Sequence, residues 1–144
     1  MLSRVFEASR ERVFAAWTRA EHLAHWFGPR GFTVPACEAD PRAGGEIKLC
    51  MRSPQGEDFW VRGVFRELVA PERVLIWCVA DDEAGNLAIE ETIEARFTDE
   101  AGRTRLSLRA TASGSSERAR AMLEGMEPGW NQTIDRLGSH VDRN

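Results

Sequence analysis

Residues 3 to 7 (Ser-Arg-Val-Phe-Glu) open the chain as a short strand. Ser9 then offers an N-cap to a helix whose apolar positions Val13, Phe14 and Trp17 have helical spacing. A second, shorter helix is predicted from about Glu21 to Phe27, with Leu23, Trp26 and Phe27 on its apolar side and Gly28-Pro29-Arg30-Gly31 as its stop. The period then changes to two. Turn signals recur at hairpin intervals, at 41–45, 53–56, 70–72, 81–86 and 99–102, so strands are predicted at 33–39, 46–52, 58–69, 73–80, 89–98 and 103–111. From Ser115 the period is helical again. Ala119, Met122, Met126, Trp130, Ile134, Leu137 and Val141 form one stripe three or four residues apart, with Pro128 inside it marking a kink or a restart.

A strand, two short helices, a six-strand meander and a long closing helix predict an α+β layer: one antiparallel sheet of about seven strands covered by the last helix. A long meander twists and curls around its cover, which leaves space at the mouth. Alternation assigns an inner face of Ile47, Leu49, Met51, Phe59, Val61, Gly63, Phe65, Ile93, Ala95, Phe97, Leu106, Leu108 and Ala110. The small members of that set, Gly63, Ala95 and Ala110, favour a cavity, as do flexible methionines on the covering helix. Glu67 and Glu91 share the inner parity. A carboxylate there would have a raised pKa and is a candidate for acid/base work or for orienting a ligand hydroxyl, Glu91 more than Glu67.

The other face carries Lys48, Arg52, Arg62, Arg66, Glu94, Arg96, Arg105 and Arg109, which reads as a solvated surface with cross-strand ion pairs. Trp60 and Trp77 make the central strands apolar on both sides; either another subunit, as in a homodimer, covers that strip or a bulge turns Trp77 toward the cavity.

With 144 residues the chain fits one domain over 1–144, and its net charge of -4 provides no basic field for nucleic acid. No run approaches the roughly 20 apolar residues of a membrane helix, so a cytoplasmic protein without membrane attachment is expected. Cys37, Cys50 and Cys78 lack disulfide or zinc spacing, and Cys78 has no base nominated beside it. His22 and His25 are three apart but want a third metal ligand, and His140 suits a helix end. No cofactor or metal is implied, and no nucleophile-elbow, Walker or dinucleotide-binding motif occurs.

Three segments carry a family resemblance: 4–32 (RVFEASRERVFAAWTRAEHLAHWFGPRGF), 63–74 (GVFRELVAPERV) and 127–137 (EPGWNQTIDRL). They resemble the activator of heat-shock-protein-90 ATPase homologue-like family, within the START and Bet v 1-like helix-grip superfamily called SRPBCC. Arg19-Ala20 stands where the family usually has Asp-Pro, leaving Thr18 to cap the second helix. The resemblance implies a helix-grip fold and, with no shared catalytic constellation, non-enzymatic binding of a small hydrophobic or amphipathic ligand between the sheet and the C-terminal helix. The expected lining is Trp26, Phe32, Met51, Phe65, Glu91, Met122, Met126 and Trp130. The alternatives are a cyclase- or hydrolase-like enzyme on a polyketide-type substrate, with Glu91 or Glu67 as acid/base, and a co-chaperone-like interaction domain.

Overall fold

The computed structural model describes residues 2–81, 87–114 and 126–142. Its elements follow the order β1 (Leu2–Phe6), α1 (Arg10–Thr18), α2 (Ala20–Trp26), β2 (Thr33–Ala39), β3 (Glu46–Arg52), β4 (Asp58–Val69), β5 (Arg73–Asp81), β6 (Leu87–Glu100), β7 (Arg103–Ser113) and α3 (Met126–Val141). All seven strands form one curved antiparallel sheet in the order β1-β7-β6-β5-β4-β3-β2. Chain order is thus kept from β2 to β7. The N-terminal strand closes the far side by pairing Leu2 with Leu108 and Phe6 with Thr104.

The helices cover one face of this sheet because their apolar sides match it. In α1 the Ser9 hydroxyl accepts from the Arg12 N–H at 3.3 Å, and Val13, Ala16 and Trp17 are fully buried. Capping of α2 differs from the sequence reading. Arg19, not Thr18, is its N-cap and makes no side-chain cap bond, because the Thr18 hydroxyl donates back to the Phe14 carbonyl at 3.1 Å. Along α3, Ile134, Leu137 and Val141 are buried against the core, so the second half of the predicted stripe faces the sheet. The predicted first part of that helix, with Met122, lies outside the described residues, and Pro128 is the third residue of α3.

The predicted inner face is the observed one, with two physical refinements. Phe65 pairs with Ile76 but Glu67 pairs with Leu75, so Arg66 is an extra residue and β4 bulges. The bulge reverses parity: Leu68 comes opposite the buried Val74, while Glu67 turns outward and pairs with Arg73. Glu67 is therefore a surface carboxylate and not an interior acid. Gly63, for its part, is small for a backbone reason. A Cβ there would lie 2.3 Å from the Trp77 carbonyl oxygen and 2.7 Å from Cys78 Cβ, so β4 and β5 approach too closely for any side chain.

On the outer face the arginines are occupied. Arg52 pairs with Asp58 at 2.8 Å, Arg62 with Asp81 at 3.0 Å, Arg73 with Glu94 at 2.8 Å, and Arg105 with Glu100. Trp77 belongs to this face rather than to the interior: its indole N–H donates to Glu90 at 3.0 Å and the Arg66 guanidinium lies 5.5 Å from its ring centre. Trp60, likewise outward, lies under Lys48 at 5.3 Å.

Candidate functional site

The space between sheet and helices is filled at one end and open at the other. At the filled end Trp17 and Trp26 meet with ring centres 5.0 Å apart, Phe97 sits 6.3 Å from Trp17, and Leu106, Ile134, Leu137 and Val141 close the remaining volume. The Trp26 indole is fixed there, donating to the Ala16 carbonyl at 2.9 Å. At the other end is a cleft of about 290 Å³, near the lower limit of the roughly 300–1,000 Å³ range of small-molecule pockets. The segment after α2 (Phe27, Gly28, Pro29, Phe32) forms one wall, β3 to β6 (Met51, Phe59, Val61, Cys78, Ala80, Ile89, Glu91) the floor, and α3 (Gly129, Trp130, Thr133) the other wall.

Sequence and local structure explain how each wall is held. Gly28 and Gly31 have φ of +100° and +90°, a left-handed backbone that swings the chain away from α2 and brings Phe32 across to the sheet. The Arg136 guanidinium then fastens that segment to α3, donating to the carbonyls of Gly28 at 2.9 Å, Pro29 at 3.1 Å and His25 at 3.3 Å. These carbonyls include the C-terminal end of α2, where a cation is favoured. Gln132 accepts from the Arg30 N–H at 3.1 Å and adds a second tie.

Trp130 divides the two ends. Its ring stacks nearly parallel to Trp17 (6.3 Å, 12°) on the filled side and meets Phe27 edge-on (6.2 Å, 85°) on the cleft side. Its N–H donates to Glu91 Oε2 at 3.1 Å. Glu91 is the one carboxylic acid of the lining among the described residues. Burial pushes its pKa from the ordinary range up to about 7, and the Trp130 hydrogen bond opposes that rise in part. Directly across the sheet pairing is Cys78, whose thiol is pushed far up by burial and further by the Glu91 charge. The carboxylate beside Cys78 thus suppresses the thiolate, the opposite of what a cysteine nucleophile requires.

Of the residues nominated from sequence, Phe32, Met51, Glu91 and Trp130 come together around the cleft. Trp26 and Phe65 do not: both are fully buried in the packed core, where periodicity placed them on the correct face but at the wrong depth. Met122 lies outside the described residues, as does the side chain of Met126. A third histidine does join His22 and His25, since His22 Nδ1 and His140 Nε2 are 2.9 Å apart and the His25 ring stacks on His140 at 5.2 Å. Among the described residues, however, no group of three such side chains is arranged to hold a metal ion. Nor is any described helix long and apolar enough to cross a membrane.

The sequence model for activator of Hsp90 ATPase homolog 1-like proteins matches residues 7–142. The chain belongs to that family. Its fold recurs in solved structures of bacterial proteins. A Chromobacterium violaceum protein is 25% identical with a TM-score of 0.81, over 99% of this chain and 96% of that one. A Nitrosomonas europaea protein gives 24% and 0.74 over 96% and 90%, and an AHSA1 protein from Silicibacter pomeroyi 23% and 0.75 over 96% and 93%. No curated protein matches the chain. Within this AHSA1-like chain the site residue most thoroughly missed from sequence is Arg136, because a charge beside an apolar stripe looks solvent-facing until the carbonyls it meets are known. Phe27 was legible as an apolar position of α2, but only the left-handed turn after it directs it to the cleft.

Proposed function

We propose that this AHSA1-like protein binds a small apolar or amphipathic molecule in the cleft beside Trp130, without catalysing its conversion. One observation carries the reading: among the described residues the lining is aromatic and aliphatic, yet it holds a single buried carboxyl fixed by an indole N–H. An apolar pocket with one convergent polar group is the usual composition of a ligand site, in which burial provides affinity and the polar group orientation. The filled end supports the same reading, since a protein able to pack one half of its interior so completely leaves the other half open against the drive to close voids.

The enzymatic alternative has one specific point in its favour. A carboxyl with a pKa of about 7 is poised for proton transfer near neutrality. Against it, Cys78 is the other titratable group of the lining among the described residues and is held as the neutral thiol, so none of them gives Glu91 the second acid, base or nucleophile that such chemistry generally recruits. Titration with N-phenyl-1-naphthylamine, a neutral probe whose emission rises in apolar surroundings, tests the proposal. Saturable binding should be weakened by Phe59→Ala and Met51→Ala, both lining residues, and left unchanged by Trp60→Ala on the outer face. Absence of saturable binding, or equal loss with Trp60→Ala, would overturn it.

A further inference from the structure

Ligand chemistry follows from what Glu91 lacks. One carboxyl oxygen, Oε2, accepts from Trp130, and among the described residues neither arginine, lysine nor histidine pairs with the group, although the outer face is crowded with such pairs. It stands on β6 between Cys78 of β5 and Ala112 of β7, neither of which offers a positive charge. The lining it shares also holds Trp130, Phe27, Phe32 and Phe59, the last two with ring centres 6.3 Å apart. Aromatic rings in one cleft with a carboxylate that no cation among the described residues pairs are complementary to one class of guest: the ring faces attract a cation through their quadrupole and the carboxylate attracts it through its charge, in surroundings where water screens neither well.

We infer that the cleft takes a lipophilic ammonium, an amine whose charged nitrogen meets Glu91 and whose hydrocarbon body lies among Phe27, Phe32, Phe59 and Trp130. The inference rests on the proposal that the cleft is a ligand site and narrows it to a chemical class. A cation supplies the counter-charge that none of the described residues gives Glu91, and recovers the cost of ionising it in an apolar wall. A neutral alcohol of the same shape gains only a hydrogen bond, and a carboxylate places two like charges together unless a proton is shared. Cys78, the other titratable group of the lining among the described residues, is neutral and does not compete for the cation.

Three isosteric probes decide the matter: 4-phenylbutylamine, 4-phenylbutan-1-ol and 4-phenylbutanoate, titrated calorimetrically into the full chain at about pH 6 and about pH 8. At the higher pH the amine should bind roughly tenfold or more tightly than the alcohol, and the carboxylate weakest. At the lower pH that preference should shrink and amine binding should release a proton, seen as a dependence of the heat on buffer ionisation, because the amine then displaces the proton of Glu91. Glu91→Gln should bring amine and alcohol to parity. A wild-type preference for alcohol or carboxylate at the higher pH, amine binding at the lower pH without proton release, or a preference for amine that survives in Glu91→Gln would overturn the inference while leaving the ligand site standing. Failure of all three probes to bind saturably would remove both. The pH and proton-release measurements use the wild type alone, so the outcome does not depend on the variant folding.

Discussion

The same sheet and the same helix bound two regions that are packed in opposite ways. Trp17, Trp26, Phe97 and Leu137 are themselves fully or nearly fully buried, whereas Phe32, Met51 and Phe59, a few turns of chain away, are only half-buried around open volume. Hydrophobicity does not distinguish them. What differs is the third layer: α1 and α2 deliver two indoles into the first region, and over the second the chain has left helix at Gly28 and passes as a rim pinned by Arg136. Close packing and open volume therefore fall to different halves of one interior, and the contrast can be broken by substitution in either half.

The largest effect belongs to the packed half. Leu137→Ala should cost about 2–5 kcal/mol in denaturant unfolding, the usual range for a buried leucine. Met51→Ala in the open half should cost less than about 1–2 kcal/mol, since the side chain already borders space, while impairing probe binding. Equal costs would mean that the cleft is as tightly packed as the core.

Next comes the pH dependence that Glu91 imposes. Its folded pKa of about 7 lies above the ordinary 4.5, so the folded state holds the proton more tightly. Its contribution is complete below about pH 4.5 and is lost as pH rises through about 7, amounting to roughly 3 kcal/mol at most. Glu91→Gln should flatten that part of the stability profile. A wild-type profile that does not fall across this interval would place Glu91 in water rather than in the cleft wall.

How much of this was legible beforehand depends on the scale of the question. Strand number, the meander of β2 to β7 and most ends followed from alternation and from Gly, Pro, Asn and Asp at the turns, since a residue's face is a local property, whereas the place of β1 beside β7 is a long-range pairing that no local pattern carries. The parity of Glu91 was read correctly for that reason. Glu67 was misread because one inserted residue, Arg66, inverts everything beyond it and leaves no compositional trace. Trp26 and Phe65 were placed at the cavity because sequence period reports direction and not distance along the groove; that distance is set by contacts between α1, α2 and the sheet. The small residues first taken as a sign of empty space include Gly63, whose smallness serves strand approach, while the cleft's own small residues, Gly28, Ala80 and Gly129, come from three different elements.

Two glycines sharpen that last point at intermediate energies. Gly63→Ala should destabilise by about 1–3 kcal/mol or more, since backbone atoms of Trp77 and Cys78 occupy the place of the added methyl. Gly129→Ala meets only Pro29 Cγ at 3.6 Å and sits in a helix, so it should raise stability by up to about 1 kcal/mol while narrowing the cleft. Thermal melts of the pair should move in opposite directions.

The smallest effect comes from the histidines over the packed half. Burial, then the charges of His22, His25 and Arg12, lower the pKa of His140, so its folded form resists protonation. No penalty exists well above pH 6.5, and one develops as pH falls below that value, opposite in sign to the Glu91 effect. Because the group is only partly buried and water still reaches it, the penalty should stay below about 1 kcal/mol. His140→Gln should reduce acid sensitivity between about pH 6.5 and 5, and an unchanged profile would show that the seam between α2 and α3 tolerates the charge.

The near-parallel indoles of Trp17 and Trp130, with Trp26 at 5.0 Å from the first, have an optical consequence. Transition dipoles this close exchange excitation faster than they emit, so light absorbed by Trp130 is not Trp130's alone to report. A fluorescence change on occupying the cleft would be diluted by two chromophores that no guest touches. Circular dichroism in the near ultraviolet registers the relative orientation of the coupled rings instead, and a tilt of Trp130 by a few degrees alters the size of that signal. The wall between the two halves of the interior is in this sense its own chiral gauge.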